Sequence, residues 1–439
     1  MSTPNQIGLD PISAAGLAAA GLEGRLVTAS SAEFDEFAAA VDRGFLGERP
    51  SAERVAGRRA RFGDNHAVAV YDPASSSPWL PIGTLIAWPM EVTVDAGSFL
   101  PMWAISAVTV SATHRRHGIA RHLLEGELRQ ASAAGLPLAG LTVSEATIYG
   151  RFGFGVATHA ANLTINARRA GWAAWRPELG QGSGHVDPIE PETLAADLAT
   201  LNETTRGRRP GDVAGWPALW QELSGTSPGK PDPRVRGVRY VDAQGAVRGA
   251  LAYLLEPDAA DFSNHRLRVN ALLADTSQAY AALWLFALEH DLVGTVSASL
   301  RGLDEPLRWM IADQRALTVT ERDHHWLRIL DVPACLSARR YRCAGTAVLE
   351  VEDPLGFAAG AWRLTVDADG AATVERVQHP GSGGERVRLT VAALGSLLLG
   401  GVRASTLRAA GQLDGSAAAA SWLDVAFLPV AAPVLSYWY

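Results

Sequence analysis

The chain is poor in cysteine: Cys335 and Cys343 are the only two in 439 residues. Their spacing matches no metal motif, and two thiols are too few for a disulfide framework, so a reducing cytoplasm is the expected setting. No apolar run approaches the ~20 residues of a membrane-spanning helix. The N-terminal residues lack the basic and apolar regions of a secretory signal. Basic residues are not in excess, 39 against 46 acidic, for a net charge of −7. That excludes the broad cationic face on which nucleic-acid binding depends. Lys230 is the single lysine, so arginine carries nearly all the positive charge, as a GC-rich coding bias would produce. No Gly-x-x-x-x-Gly-Lys-Ser/Thr occurs, which removes support for an NTP-binding loop. What is present is ordinary for a globular protein: 48% hydrophobic and 19% charged residues. At about 150 residues per domain, the length suggests roughly three domains.

The most informative stretch is Val108 to Arg121, VTVSATHRRHGIAR. A β-type run, Val108-Thr109-Val110, feeds a turn with Arg115, Arg116, His117, Gly118, Ile119 and Ala120, and the turn opens into an amphipathic helix at Arg121. The unpaired N–H groups and partial positive charge of a helix N-terminus suit a phosphate. Gly118 permits close backbone approach, and the arginines add charge. Two arginines alone read first as a solvated basic turn; strand before, glycine within and helix after favour an anion site. The spacing Arg-x-x-Gly-x-Ala resembles the pyrophosphate loop of the GNAT acetyltransferases, which hold acetyl-CoA.

Periodicity gives an α+β organisation. The first 20 or so residues read as a loose Ala/Gly-rich arm. Ser30-Ser31-Ala32-Glu33 has the form of a capping box and predicts a helix from Phe34 to about Gly44. Strands are predicted at His66–Tyr71, Ile82–Trp88 and Met102–Val110, then a helix bearing Ile119, Leu123, Leu124 and Leu128, ended by Gly135 and Pro137. A strand at Leu138–Val143 and a short helix or turn at Ile148–Phe154 close the unit. A boundary is expected near 170–190, at Gly180, Gly182 and Gly184. The middle segment repeats the order, with strands at Val238–Val241, Gly249–Leu255 and Arg266–Leu272 and a helix over Thr276–His290 capped by Asp275. Its turn, Leu273 to Ser277, has no Arg-x-x-Gly, so a similar fold without a pyrophosphate site is expected. In the last segment, Asp367–Gly370 turns a hairpin, and Val391–Leu399 and Ala404–Ala410 read as helical. The apolar tail ending in Tyr437-Trp438-Tyr439 should dock, because burying such aromatics is favourable.

Ser144-Glu145-Ala146-Thr147-Ile148-Tyr149-Gly150-Arg151-Phe152-Gly153-Phe154-Gly155 follows the strand that would lie beside the cofactor strand. A tyrosine there can protonate a leaving thiolate. A lone Tyr is more often a packed core aromatic, and the Tyr-Gly-Arg-Phe-Gly-Phe-Gly shape is what singles out Tyr149. Ser144 either caps the strand end or bonds the pantetheine arm. His114 and His117 have no carboxylate or Cys spaced to complete a metal site, so no metal is expected. His324-His325 reads as exposed or capping.

VSATHRRHGIAR, SEATIYGRFGFG, LDVPACLSARRY and LGSLLLGGVRASTL, with ALWLFALEHDLV in the middle and an aromatic last residue, resemble the Eis (enhanced intracellular survival) family of actinobacterial acetyltransferases. The likeness covers most of the chain after about residue 25. It implies an active GNAT domain (1–175), a degenerate GNAT-like domain (176–320) and a domain resembling sterol carrier proteins (321–439). It implies acetyl-CoA held by Val108, Thr109 and Val110, by Arg115 to Arg121, and by Ser144 with Glu145. Tyr149 would be the general acid and the carboxylate of Tyr439 the general base. With an ordinary pKa of about 3.5, that carboxylate would act through water or after burial raises its pKa. The resemblance further implies a homohexamer, with aminoglycosides and lysine side chains as acceptors.

The chain departs from the family around the acceptor. Tyr439 stands where Phe is usual, and Trp438 where an acidic residue can occur. Ala107, beside Ser106, sits where an aromatic can line the pocket. Glu48 either replaces an acidic pocket residue or is a solvated loop residue. The expected function is acetyl transfer to primary amines of polycationic small molecules such as aminoglycosides. Its rivals are a protein lysine acetyltransferase and a non-catalytic acyl-CoA or lipid-binding protein. The scarcity of lysine then also fits avoidance of self-acetylation.

Overall fold

A computed structural model describes residues 8–63, 65–177, 183–378 and 384–439. Of the glycines that mark the expected boundary, Gly180 and Gly182 lie outside the described residues. The chain forms two compact units: residues 1–158, 323–433 and 438–439 make the first, and 159–322 with 434–437 the second. Among the described residues no helix is long and apolar enough to cross a membrane.

The first unit begins with α1 (Pro11–Ala19), where the sequence suggested a loose arm. Asp10 caps it by accepting from Ser13 N at 2.8 Å, and Pro11 occupies the first helical position, where a missing N–H costs little. Ala-rich composition hid this helix because alanine favours helix without marking a face. Then follow β1 (Glu23–Val27), α2 (Phe34–Gly44), α3 (Ala52–Arg61), β2 (His66–Tyr71), β3 (Gly83–Asp95), β4 (Ser98–Val110), α4 (Ile119–Ala133), β5 (Leu138–Thr142), α5 (Ala146–Tyr149) and β6 (Gly155–Asn166). The capping box does not form: Ser31 Oγ accepts from Thr28 N, and Glu33 makes no side-chain cap bond. β3 and β4 pair from Gly83↔Val110 to Asp95↔Ser98, a longer hairpin than the pattern predicted. Pro89 and Pro101 masked its far half, since proline usually argues against a strand.

The second unit holds most of β6, then α6 (Ala167–Ala170), β7 (His185–Ile189), α7 (Pro191–Thr205), α8 (Pro217–Ser224), β8 (Arg236–Val241), β9 (Val247–Glu256), β10 (His265–Ala274), α9 (Ser277–Leu288), β11 (Val293–Arg301), α10 (Leu307–Met310) and the start of β12 (Leu317–Ile329). Its strand order is β6-β11-β10-β9-β8-β7. Thr276, not Asp275, caps α9; Asp275 is drawn away by ion pairs with Arg208 and Arg248. β10 and β11 run parallel from His265↔Val293 to Val269↔Ala298 and then part. Ser436 and Tyr437 fill the wedge, leaving a cavity of about 10 Å³, room for about one water. Tyr437 packs edge-on to Trp220 at 5.5 Å, and Asp212 accepts from Ser436 N and Oγ at 3.3 and 3.1 Å. Burial pushes the Asp212 carboxyl up to about 6.

The rest of the first unit is the Asp323–Ile329 half of β12, then α11 (Val332–Ser337), β13 (Gly345–Glu352), β14 (Gly360–Val366), β15 (Ala372–Val377), β16 (Glu385–Thr390), α12 (Val391–Leu398), α13 (Ala404–Ala409), β17 (Leu413–Gly415) and α14 (Ala417–Ala426). In this unit β1 to β5 stand in sequence order, and β12 lies antiparallel to β5, with His325↔Thr142 to Ile329↔Leu138. A separate sheet has the order β15-β14-β13-β16-β17. Leu85, Trp103, Leu124, Leu128, Phe154 and Trp326 belong to one buried cluster of this unit.

Candidate active site

The site starts from a broken strand pair. β4 and β5 run parallel from Met102↔Leu138 to Ile105↔Leu141, and among the described residues the pairing stops there. On the other edge of β4 the register with β3 slips between Thr84 and Ile86. Ala107, inside this bulge, has φ 52, a left-handed conformation uncommon outside glycine. Thr84 Oγ1 steadies it by donating to Ala107 O at 2.8 Å. The bulge bends β4 away from β5, as bulges do, so Ser106 to Val110 have no β5 partner along that edge. The alternate N–H groups of this stretch that do not point at β3 can serve a ligand instead.

A cavity of about 220 Å³ occupies the opening. Ile105, Ser106, Ala107, Val108, Leu141, Thr142 and Ser144 line it, with Phe45, Tyr149, Trp438 and Tyr439. Four predicted site residues, Val108, Ser144, Tyr149 and Tyr439, therefore meet in one place. Thr109 and Val110 continue the same edge, and Glu145 is exposed beside Ser144. Arg115, Arg116, His117 and Arg121 are exposed around the N-terminus of α4, while Ile119 is buried and anchors it. Arg116 (φ 68) and Gly118 (φ 77) are both left-handed. A turn of this shape with exposed guanidinium groups at a helix N-terminus fits a pyrophosphate.

Tyr149 ends α5 and is 6% exposed, with its ring edge-on to Phe154 at 6.3 Å. Burial pushes its phenol above the usual value, the Ser144 hydroxyl opposes this, and the Glu145 charge adds to it. The phenol is thus protonated near neutral pH, the state a proton donor needs. The glycines that follow have a steric cause. A β-carbon on Gly153 (φ 83) would lie 2.6 Å from Arg328 Nε, and one on Gly155 would lie 1.8 Å from Ala392 O.

The tail arrives opposite. Thr142 Oγ1 donates to Tyr439 O at 2.9 Å. The Tyr439 hydroxyl is hydrogen-bonded to His325 Nε2 at 2.7 Å, and Trp88 packs edge-on to the Tyr439 ring at 5.9 Å. Gly140 makes room: a β-carbon there would lie 2.9 Å from both His325 Nε2 and the Tyr439 hydroxyl. His324 packs on Trp438 at 4.5 Å between ring centres. The sequence reading of His324-His325 as exposed or capping is wrong, because both side chains are fully buried. Adjacent strand residues face opposite ways, so burial of both means each face of β12 is covered here. Thr142, Gly140, His325, Trp88 and Phe45 were not found from the sequence; the run HHWLRI, polar passing straight into apolar, was the one available signal.

Burial pulls the His325 imidazole down to about 3, and neighbouring His324 adds to the effect. Unfolded, it takes a proton below about 6.5, while the native ring stays neutral, so acid removes stability as pH falls from 6.5 towards 3. The slope is about 1.4 kcal/mol per pH unit. Asp212 works the other way, since its native carboxyl keeps a proton up to about 6. The His325 effect is therefore isolated by comparison with His325→Gln. Between pH 7 and 5, urea unfolding should show the wild-type advantage over that variant shrinking by about 2 kcal/mol. A pH-independent difference would mean His325 is not held neutral.

Models of the acetyltransferase (GNAT) domain match residues 25–157 and 212–329, and a sterol carrier protein domain model matches 332–436. An uncharacterized N-acetyltransferase of Streptomyces avermitilis is 33% identical over 90% of this chain and 94% of its own length. The N-acetyltransferase Eis of Mycobacterium tuberculosis is 33% identical over 79% of this chain and 82% of its own. The crystal structure of Eis1 from Mycobacterium abscessus superposes with a TM-score of 0.77 at 29% identity, covering 95% of this chain and 100% of that one. The fold is thus two GNAT domains followed by a sterol-carrier-like domain. With β4 and β5 parted around a cavity in the first GNAT domain, and the gap between β10 and β11 of the second filled by Ser436 and Tyr437, the chain belongs to the Eis family of GNAT N-acetyltransferases.

Proposed function

We propose that this protein transfers the acetyl group of acetyl-CoA to primary amines of small molecules, with Tyr149 as general acid and the Tyr439 carboxylate as general base. The observation that carries the reading is that both residues face one cavity at the parting of β4 and β5. The donor supplies an activated acetyl thioester. The backbone of Arg115 to Arg121, with its guanidinium groups, holds the pyrophosphate; Ser144 and Glu145 flank the pantetheine arm. N–H groups of Val108 to Val110, Val110 foremost, orient the thioester carbonyl. The Tyr149 hydroxyl gives its proton to the departing sulfur. The Tyr439 carboxylate takes the proton of the amine through water, and its charge draws the ammonium into place.

In this reading residues 1–175 are catalytic, 176–320 are a degenerate GNAT-like domain and 321–439 resemble a sterol carrier protein. The resemblance also supports a homohexamer in the cytoplasm, and it makes aminoglycosides the first acceptors to try and protein lysines the second. A buried, protonated Tyr149 facing the cavity favours an enzyme over a passive acyl-CoA or lipid carrier. Tyr149→Phe should lower kcat by roughly 10²-fold or more, the scale of general acid catalysis, with the acetyl-CoA Kd unchanged by calorimetry. An unaltered turnover number would remove Tyr149 from the acid role.

A further inference from the structure

We propose that the parted strands of the second GNAT-like domain are a binding site for the chain's own C-terminal segment, and that Asp212 at its rim is a positioning residue for the Tyr439 carboxylate. The effect on turnover rests on the reading of that carboxylate as general base; the holding of the tail does not. The two domains open alike. In the first, β4 leaves β5 after Ile105, beside the bulge at Ala107. In the second, β10 leaves β11 after Val269, where its register with β9 slips between Val269 and Ala271. β11 bends as well: its register with β6 slips between Ala298 and Arg301, and Leu300 there has φ 56. Asn162 Oδ1 accepts from Leu300 N at 3.3 Å and holds the bend. Arg301 Nη1 donates to Leu272 O at 3.2 Å, so a side chain spans the gap in place of backbone pairing.

The tail is held there as an extended peptide. Val434 N donates to Pro210 O at 2.9 Å. Two residues on, Ser436 N and Oγ donate to Asp212 Oδ1 at 3.3 and 3.1 Å. Leu435 and Tyr437, the residues between and after, are buried. Main-chain bonds at one set of alternate residues, with burial of the other set, are the way an extended segment is recognised. Gly211 stands between the two acceptors with φ 96, a conformation glycine adopts freely, so the turn can present Pro210 O and Asp212 together. Tyr437 joins the buried cluster of Leu194, Leu219, Trp220 and Leu254. In the first domain the gap is an open cavity. In the second it is filled by peptide, and the turn from Leu273 to Ser277 has no Arg-x-x-Gly to hold a donor.

The consequence runs along the covalent chain. The Tyr439 carboxylate lies two residues beyond Tyr437, at most about 7 Å of extended backbone. With Ser436 and Tyr437 fixed, it has little room to wander. A misplacement of about 1 Å can cost a reaction about 10²-fold, so a base at the end of a chain needs holding just upstream. Asp212 supplies that hold through Ser436, and each point at which the tail docks raises the effective concentration of the next.

The test uses the purified full chain and a carboxypeptidase that removes C-terminal aromatic residues, with release of Tyr439 read by mass spectrometry. Such cleavage tracks the population of undocked tail. Turnover is read as free CoA thiol with kanamycin as acceptor. Asp212→Ala strands the Ser436 donors; it should release Tyr439 about 10-fold faster and lower kcat by about 10-fold, the scale of a lost buried hydrogen-bond partner. The acetyl-CoA Kd should be unchanged by calorimetry, which also shows that the donor site is folded. Ser436→Ala, a smaller change that keeps the main-chain bond, should move both readings the same way by about 3-fold. Asp212→Asn, whose amide oxygen can accept both bonds, should restore protection and turnover to within about 2-fold of wild type. Release of Tyr439 at the wild-type rate from both alanine variants would overturn the tail site and leave the transferase reading standing. Faster release with unchanged turnover would uphold the tail site and remove Tyr439 from the base role.

Discussion

Adding one glycine after Tyr439 should lower amine acetylation by roughly 10²- to 10⁴-fold, the range over which a positioned base acts, while acetyl-CoA binds as before. The added residue replaces the carboxylate at Tyr439 with an amide and moves the charge one Cα spacing, about 3.8 Å, from where Thr142 and the docked ring hold it. Thr142 can still donate to the Tyr439 carbonyl, so the tail can stay docked, and the loss reports the charge rather than the fold. Tyr439→Phe is the contrasting variant. It keeps the carboxylate and removes the hydroxyl bonded to His325, leaving the buried imidazole without that partner, which typically costs about 1–3 kcal/mol. Its stability should fall with most of the turnover kept. Full activity in the extended chain, measured as acetyl-amine formed per thiol released, would place the base elsewhere.

The two halves of this site differ in how far they could be read from the sequence, and the difference is one of range. The pyrophosphate turn is local. Strand, left-handed glycine and helix N-terminus fall within Val108 to Arg121, and each has a residue preference visible in a short window. Tyr149 was legible for a related reason: Gly153 and Gly155 are forced by contacts with Arg328 and Ala392, so a glycine pattern marks its turn. The acceptor half has no such window. Thr142 and Tyr439 meet across 297 residues of sequence, and His325 reaches the same ring from a third place. Gly140 is small because of side chains far from it in sequence, those of Met102, His325 and Tyr439. The bulge at Ala107 leaves no mark either, since alanine carries no preference for φ 52. The sequence pattern found β2, a short apolar run buried on both faces, and the hairpin of β14 with β15, marked by the turn at Asp367–Gly370, and missed α1, where the face is masked by alanine.

The largest loss of stability is expected at Arg328→Met, about 3–5 kcal/mol by denaturant unfolding, because it breaks a fully buried ion pair from one side. Arg328 and Asp353 are both 0% exposed and pair at 2.6 Å. The guanidinium also donates to Phe152 O at 2.7 Å and to Ile329 O. Asp353 takes two further bonds, from Leu355 N at 3.0 Å and Ala358 N at 2.8 Å. Burial alone pulls the guanidinium pKa down and the Asp353 carboxylate opposes it, so the charge is tolerable only with its partner. Met fills the volume but strands Asp353 as an uncompensated buried charge. The double variant Arg328→Met with Asp353→Leu should recover part of the loss, since replacing both charges removes the stranded one. Recovery should be incomplete, because Phe152 O, Ile329 O and the two backbone N–H groups still lose partners. The effect should also reach catalysis. Phe152 lies three residues after Tyr149 in the turn that holds the acid. At a temperature where Arg328→Met stays folded, kcat should fall more than acetyl-CoA affinity. A loss below about 1 kcal/mol, the ordinary worth of an exposed pair, would show that the pair neither stabilises the unit nor fixes the turn.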